Sequence, residues 1–161
     1  MITITEADFQ NPEHGAAIVA LLDEYASDPM GGGEPISDHV RANLIGELAR
    51  RPTAHALIAR DASGQPCGLA ISFEGFSTFA CQPLLNLHDF MVSARVRGQG
   101  VAQKLLAELE VLARRLGCCK ITLEVLEGNA PALALYRKVG YAGYALGEAG
   151  SAQFWQKKLP A

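Results

Sequence analysis

Leu85-Asn86-Leu87-His88-Asp89-Phe90-Met91-Val92, followed by Arg97-Gly98-Gln99-Gly100-Val101-Ala102, is the stretch whose reading decides the fold. The first segment has the composition of a buried strand. The second is a glycine turn that opens an amphipathic helix, because Val101, Leu105, Leu106, Leu109, Leu112, Ala113 and Leu116 recur at helical spacing until Gly117 stops them. A turn of this kind offers unpaired backbone N–H groups at the positive end of the helix dipole, a place suited to an anion such as a pyrophosphate.

Outward from this centre, short strands and helices alternate. Ile2 to Thr5 alternate as a first strand, and Pro12 to Ala26 carry Ala16, Ile18, Val19, Leu21, Leu22 and Tyr25 as a helical stripe. Asp28 to Pro35, with three consecutive glycines, is a loop. Ser37 caps a second helix reaching about Arg51. Ala54 to Ala59 and Cys67 to Phe73 form a hairpin around Asp61-Ala62-Ser63-Gly64. Beyond the long helix come a strand over Lys120 to Val125, a short helix over Ala130 to Val139 ended by Gly140, and a closing strand pair, Ala142 to Leu146 with Gln153 to Leu159. The sum is a mixed α/β sheet flanked by helices.

With 161 residues, 49% of them hydrophobic, and a mean hydropathy of +0.11, the chain suits one domain spanning residues 1–161 with a sizeable core. A net charge of −3 supplies no basic field for nucleic acid. Cys67, Cys81, Cys118 and Cys119 lack paired C-x-x-C spacing, so reduced thiols and no metal are expected. The first residues have neither a basic nor an apolar targeting region, and no apolar run is long enough to span a membrane. Cytoplasm and no membrane partner are the expectations.

Two familiar phosphate loops fail the test of spacing. Walker A needs Gly-Lys-Ser/Thr, which is not in register here. The dinucleotide pattern G-x-G-x-x-G begins with Gly98 and Gly100 but meets Gln103 at its third glycine. What fits is Arg-x-x-Gly-x-Ala at Arg97, Gly100 and Ala102.

Together with Leu123-Glu124-Val125, Asn129, Ala132, Tyr136, Lys138, Gly140 and Tyr141, that motif resembles the GNAT superfamily of acetyl-CoA-dependent N-acetyltransferases. The element order agrees over roughly residues 2–159, and the specific motifs lie in residues 84–141. The resemblance implies the GNAT fold, a mixed, mostly antiparallel central sheet flanked by helices. It implies acetyl-CoA as cosubstrate and no metal. Phe90, Met91 and Val92 would pair their backbone with the pantetheine arm. Arg97, Gly98, Gln99, Gly100, Val101, Ala102 and Gln103 would hold the pyrophosphate, and Asn129, Ala132 and Tyr136 would complete the cosubstrate site. Ala102 stands where the family often has glycine.

The chemistry of amine acetylation sets the remaining roles. A primary amine with a pKa near ~10 must lose a proton before it can attack a thioester, so a base is required. The expelled thiolate is met by a weak acid, and the resemblance puts Tyr136 in that role. His88 and Asp89 are the candidates for the base; strand alternation would send them to opposite faces, so that only one reaches the acceptor. Polyamine and thialysine acetyltransferases, the closest pattern, carry Glu-Asp here with the Glu in the acceptor site. His88 takes that first place, and an imidazole suits proton removal near neutrality. Glu74 and Glu124 are the alternatives, and Asp23, Glu24, Asp28 and Glu34 gather around the triple-glycine loop at 28–35, where they could attract an ammonium.

The expected activity is acetyl transfer to a small-molecule amine by direct attack in a ternary complex. Two other readings stay open: a peptide or protein N-acetyltransferase, and a coenzyme A-binding sensor without turnover. Family members are often homodimers, and the Phe154-Trp155 pair suits an interface or the core.

Overall fold

The computed structural model describes residues 1–160, and the chain divides into two compact units, one ending at Leu123 and the other beginning at Glu124. The first unit holds β1 (Thr3–Glu6), α1 (Pro12–Ser27), α2 (Asp38–Ala49), β2 (Ala54–Arg60), β3 (Pro66–Ser77), β4 (Gln82–Val92), α3 (Val101–Arg115) and β5 (Ile121–Leu123). The second contains α4 (Ala130–Lys138). The strands form one sheet in the order β1-β2-β3-β4-β5. The first four run antiparallel, and β5 lies parallel to β4.

Local chemistry starts the helices where the sequence says it should. The Asn11 side chain accepts from the Glu13 N–H at 2.9 Å ahead of Pro12, and Ser37 Oγ accepts from the Val40 N–H at 3.3 Å. Each satisfies a backbone donor that the first turn leaves without a partner. The buried stripe of α1 is Gly15, Ala17, Ile18 and Leu21, with Ala16 exposed, so the helix is rotated from the stripe that apolarity alone suggests. Gly15 explains the rotation: a Cβ there would stand 3.3 Å from the Ile45 side chain, and its absence lets α2 approach.

The sheet is covered on both faces. Ile18 and Leu21 of α1 pack with Ala56, Ile58, Leu69, Ile71 and Met91 in one buried cluster. The alternate residues of β3 point the other way, and a Cβ at Gly68 would lie 2.8 Å from Leu105 of α3. Val101, Leu105, Leu106, Leu109, Leu112 and Ala113 bury the stripe of α3 against that second face. Truncating a fully buried leucine such as Leu105 costs about 2–5 kcal/mol, so this helix, whose first turn forms the glycine loop, is firmly seated.

The β2–β3 turn is built on Asp61, whose Oδ1 accepts from the N–H groups of Ser63 at 2.9 Å and Gln65 at 3.1 Å. Its other oxygen pairs with Arg95, just ahead of the glycine loop. The Ser63 hydroxyl and the Arg95 guanidinium hold the Asp61 carboxyl well below the usual carboxylate range.

Two sequence expectations are corrected. The strand placed at Lys120 to Val125 is the shorter β5, paired with β4 only from Leu85 to Leu87. The closing strand pair, Ala142 to Leu146 with Gln153 to Leu159, does not form; the single bridge there joins Ala145 and Ser151. Gly147 and Gly150 have φ of 47° and 90° around a 3-10 turn, and Tyr144, Leu146, Phe154 and Trp155 are exposed. A two-stranded hairpin is marginal by itself, so alternation alone does not make one. No helix among the described residues is long and apolar enough to cross a membrane.

Candidate active site

The glycine loop has the geometry its sequence promises. Gly98 and Gly100 sit at φ of 78° and 77°, in the left-handed region, and a Cβ built on either would meet nothing within 4 Å. Open space therefore lies over the loop where a ligand could approach the backbone. The first bond into α3 runs from the Lys104 N–H to the Gly100 carbonyl at 3.1 Å. Among the described residues, the amides of Val101, Ala102 and Gln103 find no backbone acceptor, and three N–H groups at a helix N-terminus suit an anion.

β4 parts from β5 near this loop. The Asn86 side-chain amide donates to Thr122 Oγ1 at 3.0 Å, fixing β5 against β4 where their pairing ends. Beyond Leu87 no strand among the described residues pairs with this edge of β4, and a strand edge of this kind is one that an extended amide-bearing ligand can join. Phe90, Met91 and Val92 lie on that edge, with Met91 turned into the α1 cluster.

His88 is where the sequence expectation fails. Ser72 pairs with Leu87 and Ile71 with Asp89, leaving His88 as the extra residue of a β-bulge. Leu69 and Ile71 belong to the α1 face, so their partners Met91 and Asp89 do too. The His88 ring meets the Phe73 ring edge-on at 5.5 Å and 76°, and Phe73 packs on that same face. A bulge breaks the two-residue period, and His88 and Asp89 therefore face the same side of the sheet instead of opposite sides.

Their surroundings differ. His88 is exposed, while Asp89 is half-buried, and burial pushes its carboxyl above the ordinary range, partly offset by the neighbouring His88. Tyr25, at the end of α1, has its phenol raised by burial and then by the nearby charges of Asp89 and Asp28. Tyr25 and Phe73 thus lie on the face that carries His88 and Asp89, though the sequence pattern marks them only as core. No sequence signal separates them from ordinary packing residues, because their role depends on which face the bulge turns toward them.

Glu74 lies elsewhere. Its Oε1 is 2.7 Å from His55 Nε2, and His55 Nδ1 lies 3.4 Å from Glu6 Oε1, while Glu6 Oε2 pairs with Arg115. Glu74 opposes Leu85 and is even in register with Ser72, on the α3 face, away from His88 and Asp89. Glu124 falls just past β5.

In the second unit, Asn129 Oδ1 accepts from the Ala132 N–H at 3.2 Å and so caps α4. This gives the Asn-x-x-Ala spacing a local structural cause. Tyr136 is buried on that helix, its ring 5.7 Å from Tyr141. No group of His, Cys, Asp and Glu among the described residues is arranged to hold a metal ion.

The half-buried Asp89 has a consequence for stability. Its raised pKa means that the native state binds the proton more tightly than the unfolded chain; the stabilisation is full below the ordinary Asp value and lost as pH rises through the raised one. At neutral pH the buried carboxylate is a cost that an amide does not carry. Asp89→Asn is therefore expected to have a higher Tm than wild type at pH 7.5, with the gap closing near pH ~4. Thermal melts showing equal or lower Tm for the variant at every pH would contradict this.

A glycine loop on a helix N-terminus, an unpaired stretch of strand edge beside it and titratable side chains on a bulge are an arrangement suited to a phosphate-bearing ligand. The sequence profile of the Acetyltransferase (GNAT) family matches residues 17–141, and the chain belongs to that family. It is similar to a Thialysine N-epsilon-acetyltransferase of Bos taurus, 31% identical over 120 residues that span 66% of this chain and 69% of the relative. A protein of the same name from Caenorhabditis elegans is 25% identical over 130 residues, 81% of this chain and 78% of the relative. The solved aminoglycoside acetyltransferase meta-AAC0020, from an uncultured soil metagenomic sample, superposes with a TM-score of 0.78 at 14% identity, over 98% of this chain and 97% of its own. That likeness shows the fold. The protein is an acyltransferase, and members of its family generally use acetyl-CoA as cosubstrate.

Proposed function

We propose that this protein transfers the acetyl group of acetyl-CoA to a primary amine of a small molecule, by direct attack within a ternary complex. The observation that carries the reading is the bulge at His88, which turns His88 and Asp89 to one face where β4 loses its β5 partner. The reading treats residues 1–161 as one catalytic domain acting in the cytoplasm.

The cosubstrate supplies an activated acetyl thioester. Arg97, Gly98, Gln99, Gly100, Val101, Ala102 and Gln103 would hold its pyrophosphate, the open space above Gly98 and Gly100 fitting a close approach of phosphate oxygens. Phe90, Met91 and Val92 would take the pantetheine arm along the strand edge, with Asn129, Ala132 and Tyr136 completing the set. His88 removes the proton from the incoming ammonium, directly or through one water. Asp89 stands on the same face beside His88. As the C–N bond forms and the C–S bond breaks, Tyr136 gives its phenolic proton to the departing sulfur and is reprotonated by the second proton that the acylated nitrogen loses.

The acceptor reading rests on the relatives' printed name and on the anionic character of Asp89 and Asp28. Thialysine, a small amino acid with a side-chain primary amine, therefore heads the amines to test, followed by lysine, linear diamines, an aminoglycoside and a peptide with a free N-terminus. Release of free thiol from acetyl-CoA should be fastest with a small amine. Turnover confined to the peptide would replace this acceptor class, and coenzyme A binding without turnover on any amine would leave a sensor.

Tyr136→Phe separates the acid from a packing role. Turnover with the best amine should fall about 10- to 100-fold while the Kd for acetyl-CoA changes less than about twofold, because one proton donor is lost and little contact area. Unchanged turnover in steady-state assays would make Tyr136 structural.

A further inference from the structure

The loop between α1 and α2 is folded around Asp28. Its N–H donates to the Tyr25 carbonyl at 3.0 Å, and its own carbonyl accepts from Gly31 at 2.8 Å and Gly33 at 3.0 Å. One carboxylate oxygen, Oδ1, accepts from the Met30 N–H at 2.9 Å. The other, Oδ2, faces Arg97 of the glycine loop at 3.3 Å. Arg97 also donates through Nε to the Val92 carbonyl at 3.3 Å. A single guanidinium thus joins the α1–α2 loop, the end of β4 and the start of the glycine loop.

We propose that Asp28 is a positioning residue that holds Arg97 in the free enzyme and yields it to the pyrophosphate of the cosubstrate, which leaves the Asp28 carboxylate unpaired at the end of α1. This rests on the assignment of residues 97–103 to the pyrophosphate. The exchange follows from the chemistry. An exposed carboxylate–guanidinium pair at 3.3 Å is a weak contact, whereas a phosphate oxygen backed by several helix N-terminal amides makes a stronger, charge-assisted partner for the same guanidinium. Once Arg97 has moved, the side holding Tyr25 and Asp89 carries an additional uncompensated negative charge. An ammonium-bearing acceptor is then attracted most when the cosubstrate is already in place, and coupling of this kind is reciprocal.

Calorimetric titration of coenzyme A into wild type, Asp28→Asn, Arg97→Gln and the double variant tests the exchange. Asp28→Asn keeps an oxygen for Met30 and frees Arg97, so coenzyme A should bind about two- to fivefold tighter. In the Arg97→Gln background the same change should do nothing. Asp28→Ser, which also retains a capping oxygen, should repeat the result, and the KM for the amine with the best turnover should rise about fivefold in both single variants at Asp28. Weaker or unchanged coenzyme A binding in folded Asp28 variants overturns the proposal, because it makes Asp28 a scaffold. Equal tightening with and without Arg97 also overturns it, because simple charge repulsion then suffices. Failure of the underlying loop assignment reads differently: Arg97→Gln and Gly100 variants would then bind coenzyme A as wild type does.

Discussion

His88→Gln is expected to lower kcat/KM by about 10²- to 10⁴-fold while leaving the fold and acetyl-CoA affinity intact. The side chain is exposed at the bulge, so the loss comes from proton transfer and not from packing. In wild type, log(kcat/KM) should rise with pH along a limb that reports the base, because only its unprotonated form accepts the amine's proton; the variant should lose that limb. Asp89→Asn should keep the limb and lose less activity. If the limb survives in His88→Gln and disappears in Asp89→Asn, the base is Asp89, whose burial already lifts its carboxyl above the ordinary range. A folded His88→Gln enzyme with near-normal rates would send the search to a water chain.

Gly100→Val is the second large effect, expected to weaken coenzyme A binding by on the order of 10²-fold or more. Valine at a φ of 77° is strained, and its side chain enters the open space above the loop. Strain alone would also destabilise the fold, so a control is needed. Gly64→Val introduces a comparable strain at a φ of 81° in the β2–β3 turn, again with nothing within 4 Å. Both variants should melt lower, and only Gly100→Val should lose coenzyme A. Equal affinities in calorimetry would refute the loop assignment.

The parts of the fold legible in sequence are those written in local chemistry. Ser37, the Asp61 turn, and Gly117 and Gly140 at positive φ all stand where side-chain capping and left-handed backbone require them. The stripe of α3 was equally plain, since Leu105, Leu106 and Leu109 repeat at its period. What depends on distant partners was not. The rotation of α1 follows from Gly15 meeting Ile45, a contact between helices that no window of sequence contains. The alternating residues of the C-terminal segment read as strands but lack the pairing that makes strands. At the site, His88 and Asp89 were found by residue type, yet their shared face was hidden because a bulge is a mismatch between two strands. Tyr25 entered as one more apolar position for the same reason.

The account turns on acetyl passing from the thioester straight to an amine, and one mass-spectrometric measurement addresses it. Enzyme is mixed with isotopically labelled acetyl-CoA, first alone and then with the amine that gives the fastest thiol release. The account predicts that the protein keeps its mass without amine, and that with amine the label appears on the amine nitrogen in step with the thiol released. Label on the protein in the absence of amine, followed by its transfer, would contradict direct attack, and thiol release with no acetylated amine would contradict the activity itself.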